Sequence, residues 1–275
     1  MDLGWSCISL ASLVAGPVLF VRGFRALRVR QLVAETPLTR VRSLAMGFVE
    51  LQGAVEPRSR VAAPFSGRPC AYWEVEVQVQ RSRSREGPPS WATVHRARSG
   101  HPFYLRDDTG AVLVYPQGME CRTNFAVEEQ TWGGGVPEPY ASWMADEKLG
   151  MRHLWVLGPM RFRERTLEPG QAVFLLGRAF PRAQALAVTQ DEAPLAATGT
   201  DGGAAAGRLA EPPIAGVVRR GERDPIFMIS QESQKQVAFE YGLKAFVSVF
   251  GGPAMTLFGL WGVMELIRSH DFIVH

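Results

Sequence analysis

Tyr72–Gln80 reads YWEVEVQVQ and alternates without a fault. Trp73, Val75, Val77 and Val79 fall on one side of an extended chain, and Tyr72, Glu74, Glu76 and Gln78 on the other. Period-two alternation rich in valine predicts an antiparallel strand with one buried and one solvated face. Val49, Leu51, Gly53 and Val55 repeat the pattern upstream, with Glu50, Gln52, Ala54 and Glu56 opposite. Downstream, Trp91–Val94 predicts a strand paired back across the loop Arg81-Ser82-Arg83-Ser84-Arg85 and Gly87-Pro88-Pro89. Asp107-Asp108-Thr109-Gly110 is a turn signal, so Phe103–Val114 reads as a hairpin. Glu168-Pro169-Gly170 between Phe162–Leu167 and Ala172–Leu176 reads as a second hairpin, and Ala185–Thr189 as a last strand.

Other stretches lack this rhythm. Residues 131–150 hold Gly133-Gly134-Gly135 and several prolines, with a short helix expected at Tyr140–Leu149. Residues 197–214 are small and polar and predict a linker or loop. Order restarts at Ile226–Ser230, with Ser230 or Ser233 as the N-cap of a helix from Gln231. Strands and turns without a βαβ rhythm predict a mainly β domain, an OB-like small barrel.

The ends are different. Leu3–Val21 and Ala245–Met264 contain no charged residue. Each is about long enough to cross a hydrocarbon core of roughly 30 Å. Asp2 precedes the first segment, and Arg22, Arg25, Arg28 and Arg30 follow it. This is the reverse of a cleaved signal peptide, so an uncleaved anchor is expected. Lys235 and Lys244 precede the second segment, and Arg268 follows it. Both biases orient the chain alike: a multi-pass integral membrane protein, its middle cytoplasmic and its termini outside. Gly251-Gly252 and Gly259 permit close helix contacts, within one chain or in a homo-oligomer.

The formal net charge of +3 gives no case for nucleic acid. Cys7, Cys70 and Cys121 form no C-x-x-C pair and, with His95, His101 and His153, are too scattered for a zinc site. Cys70 and Cys121 are left as a disulfide or two free thiols. Gly133-Gly134-Gly135 has no following Gly-Lys-Ser/Thr, Gly-x-Ser-x-Gly is absent, and Asp108-Thr109-Gly110 has no second copy. His95 and His101 are expected at the surface. No catalytic residue, metal ligand or cofactor is predicted. Trp132 and Trp143, in the irregular 131–150 region, are the candidate binding residues, in a loop over a barrel mouth or in plain packing.

Several motifs together resemble the GIDE domain family, also called BAM (beside-a-membrane). They are Val49-Glu50-Leu51-Gln52-Gly53 with Val55-Glu56-Pro57, and Pro64-Phe65-Ser66-Gly67 with Pro69-Cys70-Ala71-Tyr72-Trp73. Pro102–Asp107 with Gly110, and Glu164–Gly177 (ERTLEPGQAVFLLG), complete the order between two membrane helices. The resemblance implies E3 ubiquitin-protein transferase activity, which in a mitochondrial member depends on a RING finger after the second helix. Here ELIRSHDFIVH follows Met264 with two histidines and no cysteine, so no catalytic residue carries over. The Ala/Arg/Gly/Pro-rich composition fits a bacterial relative.

The expected organisation is a first membrane helix at 1–22, a basic segment at 23–40, a GIDE-like β domain at 41–192 and a linker at 193–214. A return segment and helix at 215–244, a second membrane helix at 245–264 and a tail at 265–275 follow. The expected function is a non-catalytic binding or scaffold module at the bilayer surface with a protein partner. An E3 ubiquitin ligase-related role and a lipid or small-ligand sensor are the alternatives.

Overall fold

The computed structural model describes residues 3–59, 61–81, 90–131, 136–147, 159–184, 213–222, 224–231 and 234–271. They divide into a helical unit, Met1–Thr36 with Ser233–His275, and a β unit, Pro37–Glu232. The strands of the β unit are β1 (Gly47–Pro57), β2 (Val61–Ala62), β3 (Pro69–Cys70), β4 (Tyr72–Arg81), β5 (Ser90–Arg98), β6 (Phe103–Arg106) and β7 (Ala111–Val114). They continue as β8 (Glu120–Arg122), β9 (Val127–Thr131), β10 (Met160–Leu167), β11 (Ala172–Pro181), β12 (Ile214–Arg219) and β13 (Met228–Ser230).

Five of these strands close a barrel. β1 pairs with β6, β6 with β7, β7 with β12, β12 with β11, and β11 back to β1. All pairs are antiparallel except β7–β12. The alternation seen in the sequence fills the barrel: Leu51, Val55, Leu105, Val112, Val173, Leu175 and Val218 are buried in one cluster. Gly53 is the gap in the apolar side of β1, because a Cβ there would sit 2.4 Å from the Arg106 carbonyl oxygen of β6. β13 pairs with β11 beyond β12, and β8 runs parallel to β13.

Two excursions from the barrel build a second sheet. The chain between β1 and β6 supplies the hairpin β4–β5, and the chain between β7 and β11 supplies β9 and β10. They assemble in the order β5-β4-β10-β9. At the root, Tyr72 is opposite Leu167, and both side chains belong to the barrel core. Further out, Val75, Val77, Val79, Met160 and Phe162 form a second core under the helix α2 (Tyr140–Asp146).

Some expectations need correction. Phe162–Leu167 and Ala172–Leu176 are strands but not a hairpin. β10 pairs with β4 and β9, and β11 with barrel strands. Glu168-Pro169-Gly170 instead hands the chain from one sheet to the other, with the Gly170 N–H donating to the Val55 carbonyl and Val55 N–H to Gln171. Ile214, the last residue of the expected linker, starts β12, and residues 193–212 of that stretch lie outside the described residues. Ser230 is the last residue of β13, its hydroxyl donates to the Arg122 carbonyl, and the helix is described from Gln234 onward. Ala185–Thr189 and Ser233 lie outside the described residues.

The helical unit pairs α1 (Leu3–Glu35) with α3 (Gln234–Asp271). α1 runs through its arginines without a break, and both helices are long and apolar enough to cross a membrane. They meet antiparallel on small residues. A Cβ on Gly16 would lie 2.6 Å from the Gly252 carbonyl, and one on Gly259 2.8 Å from that of Ser9. Large apolar side chains such as Val14, Phe20, Phe250 and Leu257 point outward. Small residues at the seam and large ones outside suit helix pairing in lipid, where close backbone approach is the attraction.

Candidate functional site

The second sheet presents two unlike faces. On the first, the loop between β2 and β3 brings Phe65 onto the valines of β4. Glu164, fully buried on β10, holds it there by accepting the Phe65 N–H at 2.7 Å, the Ser66 N–H at 3.2 Å and the Ser66 hydroxyl. Aromatic rings then gather edge-on around Phe65: Tyr140 at 4.8 Å, Trp143 at 5.2 Å and Phe162 at 6.0 Å. Tyr140 stacks on Phe162 at 4.4 Å, and its hydroxyl donates to Glu129 at 2.6 Å. Burial first, then that bond to Glu129, pushes its phenol up.

Trp143 therefore sits at the margin of a core cluster, partly covered, with Phe65 on one side and His95 at 5.6 Å. Trp132 lies outside the described residues, so the pair expected from the sequence cannot be placed together. His95 is not a loop-end surface residue: it stands within β5, partly buried, and its Nε2 has no hydrogen-bond partner. His101 is exposed.

The opposite face carries Glu74, Glu76 and Gln78, for which the alternation predicts solvent. They are buried instead, the two glutamate side chains only 4% and 8% exposed. The cover comes from the neighbouring strands. Register places Arg98, Glu74 and Arg165 in one row across β5, β4 and β10, and Arg96, Glu76, Arg163 and Glu128 in the next. Arg98 pairs with Glu74 at 3.1 Å, Arg96 with Glu76, and Arg163 with Glu128 at 2.6 Å. Long arginine stems bury apolar and polar neighbours alike while their heads stay wet.

Aromatic rings edge this ladder. The Arg161 guanidinium lies 3.9 Å from the Trp91 ring centre, and those of Arg163 and Arg165 lie 4.6 and 4.0 Å from Phe125. Among the described residues Arg161 Nε is buried without a partner, as are Glu74 Oε2 and Gln78 Oε1, and the ion pair of Arg161 to Glu128 is a long 3.7 Å. Burial first, then the charge of Arg163, lowers its pKa, with Glu128 opposing. Sequence reading missed this ladder because its rows join strands far apart in the chain.

Other ionisable groups are structural. Cys70 and Cys121 are free and buried, which settles the choice between disulfide and thiols. Burial pushes each thiol up to about 11, aided at Cys70 by Glu164 and Glu168. Such thiols stay protonated at neutral pH and are poor nucleophiles. Asp107 forms the expected turn, accepting the N–H groups of Thr109 and Gly110. It also accepts the Val41 N–H at 2.8 Å, which ties the connector after α1 to the barrel. Burial pushes this carboxyl up, but the bonds from Val41, Thr109 and Gly110 outweigh it and hold the pKa below the usual aspartate value. On β1, burial raises Glu50 to about 7, and its Oε2 has no partner. Among the described residues no group of three or more His, Cys, Asp or Glu could hold a metal. Chemically, the two faces offer guanidinium donors and aromatic surface.

Residues 74–194 match the family model GIDE, described as E3 ubiquitin ligase. The match begins at Glu74 of β4 and covers both later motifs that carry the resemblance, Pro102–Gly110 and Glu164–Gly177. No curated protein and no solved structure matches the chain.

Proposed function

We propose that this chain, with its GIDE match, is a membrane-anchored binding or scaffold module that holds a β unit at the cytoplasmic face of a bilayer, with both termini outside. The observation that carries it is the flanking of the β unit, Pro37–Glu232, by α1 and α3, each apolar and long enough to span. Arg22, Arg25, Arg28 and Arg30 at one inner end and Lys244 at the other support that orientation. The carboxylates of the second sheet are engaged structurally, Glu74, Glu76 and Glu128 with arginines and Glu164 with two backbone N–H groups and the Ser66 hydroxyl. A protein partner is the expected ligand of the module.

The test combines topology with capture. Asp2→Cys is expected to react with a membrane-impermeant maleimide in intact cells, and Ser84→Cys only after permeabilisation. Reaction of Ser84→Cys in intact cells would overturn the orientation. A crosslinked pull-down from native membrane should then enrich one stoichiometric protein, lost when residues 36–240 are removed. Failure to enrich any protein above that control would end the scaffold reading.

The family description favours a second reading, an E3 ubiquitin ligase-related protein. In that case the purified chain, alone or with its captured partner, should accelerate ubiquitin discharge from a charged conjugating enzyme. A third role, sensing a lipid or small ligand through Trp132 and Trp143, draws on the partial exposure of Trp143. It predicts a change in tryptophan emission on ligand addition that Trp132→Phe removes.

A further inference from the structure

The seam between the barrel and the second sheet is crossed by two short connections, Thr123–Ala126 from β8 to β9 and Glu168–Gln171 from β10 to β11. Between them lies a cleft of about 470 Å³, walled also by Arg68 and by Gln231, the residue after β13. That volume falls within the usual range for small-molecule sites, roughly 300–1,000 Å³.

The polar groups of this cleft are not balanced between donors and acceptors. The Gln171 Oε1 accepts the Glu168 N–H at 2.8 Å, and the Gln231 Oε1 accepts the Asn124 N–H at 3.3 Å. Each glutamine thus spends its oxygen on a backbone N–H, which fixes the carboxamide and leaves its Nε2 hydrogens without a partner among the described residues. The Asn124 carboxamide has no partner among the described residues. Arg68 offers one nitrogen to Glu168 at 3.2 Å and keeps the rest of its fork free. The nearby backbone N–H groups of Gly170, Gln171 and Ala126 are already bonded to carbonyls. The cleft is therefore lined by side-chain N–H donors of Arg68, Asn124, Gln171 and Gln231, with the Glu168 carboxylate beside them and Phe125 and Pro169 as apolar wall.

The geometry points to a binding site for a small carboxylate with an apolar body. The free N–H donors outnumber the acceptors left, the Glu168 carboxylate and the Asn124 Oδ1, which favours an oxyanion. Arg68 and Glu168 are the only charged residues in the lining and cancel, so a monoanion suits the cleft better than a doubly charged phosphate. The apolar part of the ligand would lie on Phe125, whose ring is held in place by Arg163 and Arg165. Trp143 is not part of its lining, and the site rests on the β unit alone, whichever side of a membrane that unit occupies.

Benzoate is the probe, titrated against the full chain in lipid nanodiscs by saturation-transfer NMR, with empty nanodiscs as blank. Wild type should show saturable benzoate binding and none of benzylamine. In Gln171→Glu/Gln231→Glu each new carboxylate still accepts its backbone N–H, so the fold is kept while the free donors become acceptors. Benzoate should weaken at least tenfold, a loss of about 1.4 kcal/mol, and benzylamine should begin to bind. Asn124→Asp, which disturbs no hydrogen bond seen here, should act in the same direction. Absence of saturable benzoate binding in wild type, or unchanged binding in these variants, would overturn the site. Displacement of benzoate by inorganic phosphate at lower concentration would overturn the carboxylate assignment. Loss in Trp132→Phe instead would move the ligand elsewhere.

Discussion

Removing the Glu164 carboxylate should loosen the aromatic face of the second sheet. The side chain is fully buried and is the acceptor for two backbone N–H groups and one hydroxyl. Hydrogen bonds to a charged group are worth about 1.5–3 kcal/mol each, and an orphaned buried donor keeps its full desolvation cost. The bonds share one acceptor and will not add fully. Glu164→Ala should therefore cost about 3–5 kcal/mol, cavity included. Glu164→Gln keeps one oxygen but turns an amide toward a donor, so about 1–2 kcal/mol is expected. In a domain of 150–250 residues each kcal/mol moves the midpoint by about 2–4 °C, which gives a fall of about 6–20 °C for alanine. Differential scanning fluorimetry of the full chain reads this, and the near-UV circular dichroism of Trp143 should flatten as Phe65 is released. Midpoints of both variants within about 2 °C of wild type would refute the view that Glu164 pins the loop.

Other outcomes follow from the same coordinates of charge and packing. Burial raises Glu50 in the folded chain to about 7 from an ordinary 4.5, so the folded state binds the proton more tightly than the unfolded one. Stability from this group is complete below pH 4.5 and is lost as pH rises toward 7. Glu50→Gln should match wild type at low pH and melt higher above pH 7, and parallel melting curves across that window would count against it. In a Cys7→Ser background, Cys70 and Cys121 should resist maleimide at pH 7.5 until denaturant is added, as free and buried thiols with raised pKa. Prompt labelling of either would show the barrel to be open. Gly252→Val should weaken the helix pair, since its Cβ would stand 2.8 Å from the Gly16 carbonyl. A lower helical melting point in detergent is the expected reading, and an unchanged one would contradict the close seam.

Much of the barrel was legible because alternation is a local property. Leu51, Val55, Leu105 and Val173 could be assigned to an interior from their own neighbours in sequence. Partnership is not local, and it is where expectation failed. Glu74 and Glu76 look solvated until Arg96 and Arg98 of β5 and Arg163 and Arg165 of β10 are laid beside them. Glu168-Pro169-Gly170 has the composition of a hairpin turn, yet the strands on its two sides choose other partners. β12 is short and broken by Gly216, so nothing in its residues announces that it closes the barrel. The candidate site divides similarly: Trp143 was visible as an indole in irregular sequence, but its packing on Phe65 depends on Glu164, about a hundred positions from that ring.

The parallel pairing of β7 with β12 has a consequence for biogenesis. Ile214 is opposite Ala111, so the chain's last barrel strand leaves the ribosome about a hundred residues after the edge it must cover. Until then β7 and one edge of β11 are open ladders, and open edges recruit other chains. At roughly 5–20 residues per second the gap lasts about 5–20 seconds. By that time α1 has long been made and can already be lodged in the bilayer. An early tether would keep each nascent barrel apart from its neighbours during this interval. Chains interrupted before Ile214 should then be the aggregating species, and a ribosome stall placed there would reveal them.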